Sequence, residues 1–440
     1  MNADILDLSI EAIVERIRSG AVEPDAAVRC SLERIRRSDD RLRSLISVAD
    51  AWSGAGGSAV GPSASDSGTL AGIPFAAKDN IDIAGFVTTC GWPAWSDAPA
   101  RRSAGLVDAL QQAGAVAVGK ANMPPLAFGA TGRNEFYGTV LNPVDEAFTP
   151  GGSSSGSAAS VAADLVAFAL ASDTTGSART PAALCGVVGL RPEKARADRS
   201  GLTLRSPTLD SIGIMTRDTV DLARVWAAAA PDAAAGPEPP GSSPPPVRVV
   251  APTPNSLSGR VDGETDRAFR HALAALSRAG LELTFVELPD LDAADEAARL
   301  ISEFEPVIEY GHLLSSSREG GVGLPPSAHR RLMEARKIGR SEYERALGHM
   351  HTFNAELCEI LAEPGSVLVT PATPKPRYAV DHEIPEARRE RQTAFTRPLS
   401  LYSGAVAVTP RRAETPGVVP PALQVAAPST WGLLQFFIDM

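Results

Sequence analysis

Two segments near the start of the chain place apolar residues at helical spacing. In the first segment these residues are Ile10, Ile13, Val14 and Ile17. They lie at i, i+3, i+4 and i+7, so they share one face of a helix that Gly20 can end. The segment from Pro24 to Ile35 repeats this spacing, and Pro24 suits the first position of a helix. Residues 1–52 are therefore predicted to form an N-terminal helical arm.

Short apolar runs alternate with helical patterns through the next part of the chain. Residues 72–79 and 115–120 predict strands, and the first of these runs places Lys78 at its end. A helical pattern lies between them. Residues 157–163 predict a further helix, and residues 165–171 predict a strand that is buried on both faces. Strands that alternate with helices indicate an α/β fold with a parallel or mixed sheet.

The second half of the chain resumes this alternation after a change in composition. Residues 230–246 are rich in Pro, Ala, Gly and Ser and are interpreted as a linker, while residues 53–68 predict a flexible surface loop. From about 292 to 361 the pattern is helical with several charges, which indicates a helical cover over the sheet. The other elements predicted here are strands at 247–251, 283–288, 367–370, 405–408 and 422–425 and a helix at 265–279.

Length and composition are those of a globular protein with a large core. The chain has 440 residues, of which 44% are hydrophobic and 21% charged, so it can bury such a core in one or two domains. We expect a single domain over residues 1–440, made of the arm, a core half at 70–229, the linker and a second half at 247–440. The net charge of −10 and the lack of a basic cluster argue against a nucleic-acid partner.

The N-terminus and the cysteines indicate a reducing compartment. The N-terminus lacks the charged and apolar regions of a signal peptide, and no 18-residue apolar run predicts a membrane span. The four cysteines are far apart in the sequence, at Cys30, Cys90, Cys185 and Cys358. Such spacing indicates neither a disulfide framework nor a zinc site, so we expect buried free thiols. The chain is predicted to be soluble and cytoplasmic, without a membrane partner, a metal or another cofactor.

Two loops rich in serine and glycine, at 149–157 and 172–181, bracket one apolar segment. Glycine permits a positive φ and close backbone approach, and serine supplies a hydroxyl that acts as nucleophile, donor or acceptor. Such a pair of loops is typical of an active site, but Gly and Ser are equally common in ordinary surface loops. The choice between these interpretations depends on residues elsewhere in the chain.

Three chemistries compete for these loops. Residues 152–156 match the Gly-x-Ser-x-Gly nucleophile elbow, although a loop precedes them and every histidine lies in the second half of the chain. His382 can still reach back in space, so a Ser-His-Asp relay stays open. A phosphate-binding loop requires Gly-Lys-Ser/Thr, which neither loop has. The third chemistry uses a neutral lysine to activate serine, and Lys78, one of only five lysines, lies at the end of an apolar strand.

Three motifs that occur in order resemble the amidase signature family. Residues 151–158 read Gly-Gly-Ser-Ser-Ser-Gly-Ser-Ala, and residues 172–183 read Ser-Asp-Thr-Thr-Gly-Ser-Ala-Arg-Thr-Pro-Ala-Ala. The run Gly-Ile-Pro-Phe-Ala-Ala-Lys-Asp at 72–79 looks like the lysine strand of that family. The resemblance covers residues 8–230 and returns weakly towards the C-terminus. It implies an α/β/α sandwich with a mixed, largely parallel central sheet covered by helices.

The resemblance also implies a chemistry, the cleavage of a carboxylic amide C–N bond through a seryl acyl-enzyme. The implied base, proton relay and nucleophile are, in that order, Lys78, Ser153 and Ser177, with Ser153 following a cis peptide bond. The residues implied in oxyanion or substrate binding are Thr174, Thr175, Gly176 and Ala127. Those implied to brace the loops by hydrogen bonds are Ser154, Asp173 and Arg179. The expected partner is a small-molecule amide, and a homodimer stays open.

Departures from the family pattern leave the substrate open. Thr175 stands where the family usually has glycine, and with the triple serine at 153–155 it is similar to the allophanate hydrolase branch. Residues 122–126 lack the acidic residue often found there. The alternatives within the family are an acyl transferase, one component of a glutamine amidotransferase and an allophanate- or carbamate-type hydrolase. A catalytically silent binding protein is the alternative outside it.

Overall fold

A mixed sheet of eleven strands lies at the centre of the computed structural model, in the part of the chain that it describes. The described residues are 4–49, 68–230, 247–316, 324–380, 390–410 and 421–438. The strands are β1 (Leu45–Val48), β2 (Pro74–Lys78), β3 (Val116–Ala121), β4 (Phe168–Asp173), β5 (Val188–Arg191), β6 (Ser211–Thr216), β7 (Arg248–Pro252), β8 (Glu282–Val286), β9 (Ser366–Pro371), β10 (Ala405–Thr409) and β11 (Leu423–Ala427). Their order across the sheet is β1-β3-β2-β4-β6-β5-β10-β11-β9-β7-β8.

The parallel pairings of this sheet are confined to two groups of three strands. β3, β2 and β4 pair in parallel on one side, and β9, β7 and β8 do so on the other. The pairings between these groups, and that of β1 with β3, are antiparallel. The predicted α/β fold with a mixed sheet is confirmed. The sheet is not largely parallel, however, because six of its ten pairings in the described residues are antiparallel, and the alternation of strands and helices does not indicate this antiparallel centre.

Helices cover the sheet, and several begin at capped positions. The α-helices of the described residues span Ile10–Arg18, Ala26–Leu42, Gly105–Gln112, Ser155–Ala162, Arg179–Cys185, Thr219–Ala229, Pro254–Leu257, Gly263–Arg278, Leu291–Tyr310, Leu313–Ser316, Pro326–Ala335, Arg340–Ile360 and Thr430–Ile438. The Ser9 side chain accepts a hydrogen bond from the Ala12 N–H and so satisfies a free donor of the first helix. The second helix begins at Ala26. Pro24 lies in the turn before this helix and not at its first position.

Apolar side chains pack on both faces of the sheet and produce three layers. Phe75 of β2 and Phe168 of β4 stack on one face, with ring centroids 5.0 Å apart. The helices packed on this face include 10–18, 105–112 and 219–229. Ala76 points to the opposite face, since successive strand residues alternate. The helices packed there are 26–42, 155–162 and 179–185.

The structure differs from the predicted elements in several places. The sequence does not predict β1, β5 or β6, and β4 begins at Phe168 because residues 165–167 form bends before it. The predicted loop at 53–68 and linker at 230–246 lie, apart from one end residue each, outside the described residues. Among the described residues, no helix is both long enough and apolar enough to cross a bilayer.

The expectation of buried thiols holds for only part of the cysteine set. Cys90 and Cys185 are buried. Cys30 is partly exposed, and Cys358 is exposed on the helix Arg340–Ile360. The expectation is wrong for these two residues, because each lies on a helix that also faces solvent.

Candidate active site

Lys78 ends β2 at the edge of the sheet where the two serine loops meet. β2 lies between β3 and β4 and pairs with both in parallel, so their carboxyl ends share this edge. The Lys78 side chain has no solvent exposure. Burial lowers the pKa of Lys78 to about 7, although the carboxylates of Asp210 and Asp173 act in the opposite direction. A large share of this amine is therefore neutral near neutral pH.

Two serine hydroxyls lie within hydrogen-bonding distance of the Lys78 amine. Its Nζ donates to Ser153 Oγ at 2.7 Å and to Ser172 Oγ at 2.8 Å. Ser172 Oγ also accepts from Asn80 Nδ2 at 3.1 Å. Ser172 was not among the residues assigned a role from the sequence, although its place at the start of the second serine loop was a signal for it. The structure thus brings the predicted base and the predicted relay into direct contact.

Backbone contacts join the first serine loop to the second. The peptide bond between Gly152 and Ser153 is cis, as the family resemblance implies. The Ser154 N–H donates to the Ser177 carbonyl at 3.2 Å, and Ser154 Oγ donates to the Ser172 carbonyl at 3.1 Å. Ser154 therefore braces the two loops, and Ser153 and Ser177 are brought to the same site.

The segment between Asp173 and Ser177 presents backbone donors next to Ser177, the predicted nucleophile. Gly176 has φ 104° and its N–H donates to Asp173 Oδ1 at 2.9 Å, which takes this donor out of the predicted oxyanion-binding set. Among the described residues, the N–H groups of Thr175 and Ser177 donate to no protein acceptor. Thr175 does not have a positive φ, so threonine fits this position without backbone strain.

Asp173 and Arg179 form a buried ion pair that holds this segment. Arg179 Nε and Nη2 donate to the two carboxylate oxygens of Asp173 at 2.9 and 3.0 Å. Arg179 also donates to Gln424 at 2.8 Å and to Ser400 at 2.6 Å. Burial alone would raise the pKa of Asp173, but the Arg179 guanidinium outweighs it and holds that pKa well below its usual range. The predicted bracing residues are thereby placed between the loop and the C-terminal part of the sheet.

Asp210 anchors the same segment from the other side. Its Oδ1 accepts from Thr174 Oγ1 at 2.6 Å, and its Oδ2 accepts from the Ser206 N–H at 2.9 Å. Asp210 is fully buried, and burial raises its pKa. The sequence pattern gives no signal for this residue beyond one acidic side chain in an apolar stretch.

A small cavity opens beside Ser177. Its volume is about 60 Å³, and its wall includes Gly152, Thr175 and Ser177. Gly129 also lines it, whereas Ala127 lies two residues earlier, is buried and has φ 60°. The segment that contains Ala127 thus reaches the cavity, but Ala127 itself is not in the wall.

The nucleophile-elbow interpretation does not fit this geometry. The elbow serine would be Ser154, which a strand would have to precede directly, and the described residues between 122 and 154 contain no strand. His382 lies outside the described residues. The titratable side chain that the structure places beside Ser153 and Ser172 is Lys78.

A second buried lysine has a different environment. Lys120 lies 3.5 Å from Asp79 Oδ1 and donates to the Ile81 carbonyl at 2.6 Å and to Thr88 Oγ1 at 2.8 Å. These contacts join β3 to the segment after β2. The contacts of Lys120 are therefore those of a structural residue. Among the described residues, it makes no contact with Ser153 or Ser177.

Comparison with known proteins identifies the family. The sequence profile of the family named Amidase matches residues 26–427. The chain belongs to this family. The A subunit of glutamyl-tRNA(Gln) amidotransferase from Symbiobacterium thermophilum is 31% identical over 422 residues, which cover 86% of this chain and 83% of that protein. The protein of the same name from Chromohalobacter salexigens is 40% identical over 219 residues, 49% of this chain and 45% of that protein.

The fold is shared with solved members of the family. A crystal structure of an amidase superposes with a TM-score of 0.83 and 25% identity over 98% of this chain and 99% of that one. The resemblance to the amidase signature family is confirmed, and the protein is an enzyme of the class that cleaves amide C–N bonds.

Proposed function

We propose that the protein hydrolyses the amide bond of a small molecule through an acyl-enzyme on Ser177. In this scheme Lys78 is the base and Ser153 carries protons between Lys78 and the reacting atoms. The observation that carries the proposal is the 2.7 Å contact between Lys78 Nζ and Ser153 Oγ, made by an amine with no solvent exposure. A neutral amine can take a proton from a hydroxyl, which a guanidinium cannot do.

Acylation moves two protons towards Lys78, after which one returns to Ser153 and one leaves with the amine. Ser177 Oγ forms a bond to the amide carbon while its proton passes to Ser153 and the Ser153 proton passes to Lys78. The C–N bond then breaks as the leaving nitrogen takes a proton from Ser153, which regains one from Lys78. Water next attacks the ester by the same route, and its oxygen replaces Ser177 Oγ on the acyl carbon. After acylation Lys78 and Ser153 have regained their starting protonation states, and Ser177 regains its proton when the acyl group leaves it, so the full cycle restores all three side chains.

The negative charge on the carbonyl oxygen needs donors in place before the reaction. The N–H groups of Thr175 and Ser177 are the donors that we assign to it, because the Gly176 N–H is directed to Asp173. Loss of one donor of this kind costs about 3–4 kcal/mol of transition-state stabilisation in other enzymes. The contribution of the Thr174 N–H stays a prediction.

A fluorophosphonate probe tests the nucleophile without knowledge of the substrate. Wild-type protein should be labelled, and Ser177→Ala should lose the label. Ser155→Ala is the matched control, because Ser155 Oγ donates to the Gly151 carbonyl at 2.8 Å and makes no contact with Lys78. Labelling that persists in Ser177→Ala would exclude Ser177 as the nucleophile.

A second candidate is the ammonia-producing component of a glutamine-dependent amidotransferase. The two relatives from Symbiobacterium thermophilum and Chromohalobacter salexigens carry the name of an amidotransferase component, and this similarity favours the candidate. It predicts that glutamine is hydrolysed only when a partner protein is present. Amide hydrolysis by the purified chain alone would argue against it. We also propose a cytoplasmic location for the enzyme, because its four cysteines are free and thiols stay reduced there.

A further inference from the structure

The wall of the Ser177 cavity carries an excess of positive charge. Its charged side chains are Arg205, Arg299, Arg331, Arg397 and Glu303. The cavity shares Arg331 with a larger cavity of about 680 Å³. Concave sites lined by charge of one sign concentrate ligands of the opposite sign. The ligand of this site is therefore expected to include an anionic group.

Two of these arginines already have carboxylate partners. Arg299 lies 2.6 Å from Glu303 Oε2 and 2.6 Å from Glu296 Oε1. Arg397 lies 3.1 Å from Asp295 Oδ2. Their charges are compensated within the protein, so neither is the first choice for binding a ligand.

Arg205 has a different set of contacts. Its Nη1 and Nη2 donate to the carbonyls of Ala127 and Ser302 at the long distance of 3.4 Å, and its Nε has no hydrogen-bond partner. Within the described residues, no carboxylate lies within ion-pairing distance of its guanidinium. The guanidinium lies over the Phe128 ring, 4.8 Å from the centroid, and this contact orients its plane.

Neighbouring cations make this position costly without a bound anion. Burial lowers the pKa of Arg205 to about 10, with Arg331 acting in the same direction and the carboxylates of Asp210 and Glu303 against it, and the group stays charged at neutral pH. Asp210 lies nearby, but it accepts the backbone N–H of Arg205 at 2.5 Å and not its guanidinium. An anion bound in the cavity would give the guanidinium the direct ion pair that the described carboxylates do not make with it.

We propose that the substrate carries a carboxylate in addition to its scissile amide, and that the Arg205 guanidinium binds this carboxylate. The proposal rests on the proposed cleavage at Ser177. A guanidinium presents parallel N–H donors that match the two oxygens of a carboxylate, and its long bonds to carbonyls are easily exchanged for such a ligand. Ser177 and Arg205 line the same small cavity, which favours a short spacer between the two groups. Short amic acids, the monoamides of dicarboxylic acids, have this form.

Protection of Ser177 against the fluorophosphonate probe tests this assignment. The monoamides of malonic, succinic and glutaric acid are compared with the diamides of the same acids. In wild-type protein the best amic acid should protect at a concentration about tenfold or more below that of its diamide, the size expected for charge-assisted hydrogen bonds. Arg205→Met should bring this ratio close to one, and Arg205→Lys should keep part of it.

Arg133→Met is the matched control, because Arg133 lines the larger cavity and is exposed. Arg133→Met should keep the wild-type ratio between the protecting concentrations of the diamide and the amic acid. Equal protection by diamides and amic acids in the wild type would overturn the proposal, and so would an equal loss of preference in Arg133→Met and Arg205→Met. If Ser177 is not labelled at all, the proposed function fails, and thermal stabilisation by amic acids then decides the carboxylate site. That stabilisation should occur in the wild type and be absent in Arg205→Met.

Discussion

Lys78 joins two properties that are unfavourable for stability and useful for proton transfer. Its amine is removed from water, and the two groups that it contacts are serine hydroxyls. An exposed lysine has a pKa near 10.4 and is almost fully charged at neutral pH. A pKa of about 7 lets the same group take up and release a proton near neutral pH.

Replacement of Lys78 by methionine should separate activity from stability. We expect Lys78→Met to label with the fluorophosphonate about 10²- to 10⁴-fold more slowly, the usual contribution of a general base. The free energy of unfolding should rise by about 2 kcal/mol or more at pH 6.5, because one pKa unit corresponds to about 1.36 kcal/mol. Urea denaturation measures this change.

The pH dependence of that gain has a definite sign. The folded pKa of Lys78 lies below the unfolded value, so the cost of burial is fully present below about pH 7 and shrinks as the pH rises towards 10.5. The stability difference between Lys78→Met and wild type should therefore be smaller at pH 9 than at pH 6.5. Lys337→Met, which changes an exposed lysine, is the control. A Lys78→Met variant that is less stable than wild type at pH 6.5 would contradict this account.

The residues of the site differ in how far the sequence could predict them. Ser153 and Ser177 lie in motifs, and Lys78 ends an apolar strand, so the sequence around each residue indicates a role for it. Ser172 and Arg205 acquire their roles from partners about 80 to 95 positions away in the chain, such as Lys78 and Ala127. No local pattern contains that information, because it depends on how the loops pack at the sheet edge.

At the scale of elements, Arg179 connects the second serine loop to the C-terminal strands. It contacts Asp173 at the start of the loop, Gln424 in β11, and Ser400 in the segment before β10. All four side chains are buried. The loop that presents Ser177 is thus held by an element from the opposite end of the chain.

Arg179→Lys should weaken this connection although it keeps the charge. Lysine cannot make the two parallel hydrogen bonds to Asp173, and it leaves buried partners unsatisfied. We expect the free energy of unfolding to fall by about 3 kcal/mol, as when a buried ion pair is broken. Equilibrium urea denaturation measures it, and Arg340→Lys, at an exposed pair with Glu344, should stay near wild type. Equal midpoints for the two variants would show that Arg179 does not brace the loop.

Two of the three strands that the sequence does not predict, β5 and β6, were missed for the same physical reason. β5 has only four residues and β6 contains Gly213, so neither gives an alternating pattern of useful length. Both strands are buried along their whole length, which removes the polar positions that mark a strand face. The helices at 10–18 and 263–278 were predictable because each keeps one exposed face.

At the scale of the whole molecule, one sheet includes strands from both halves of the chain. β5 from the first half pairs with β10 from the second, at Arg191 with Val406, Leu190 with Ala407 and Gly189 with Val408. The core half and the second half are thus separate in the sequence only. In the structure, hydrogen bonds of the sheet join the two halves. This continuity supports the prediction of a single domain.

A single domain should unfold in one transition. We expect urea unfolding curves from tryptophan fluorescence and from far-ultraviolet circular dichroism to coincide, because loss of either half exposes an edge of β5 or β10. Trp226 in the first half and Trp431 in the last helix report on different regions. Two separated transitions, or a stable isolated fragment 70–229, would contradict the single domain.

The central claim is that a buried neutral lysine activates Ser177, and the pH dependence of fluorophosphonate labelling tests it most directly. The second-order rate of labelling should rise about tenfold per pH unit at low pH and level off above about pH 7, where Lys78 is neutral. Peptide mapping should place the label on Ser177, and Lys78→Met should lose the inflection. A rate that is independent of pH, or an unchanged inflection in Lys78→Met, would contradict the mechanism.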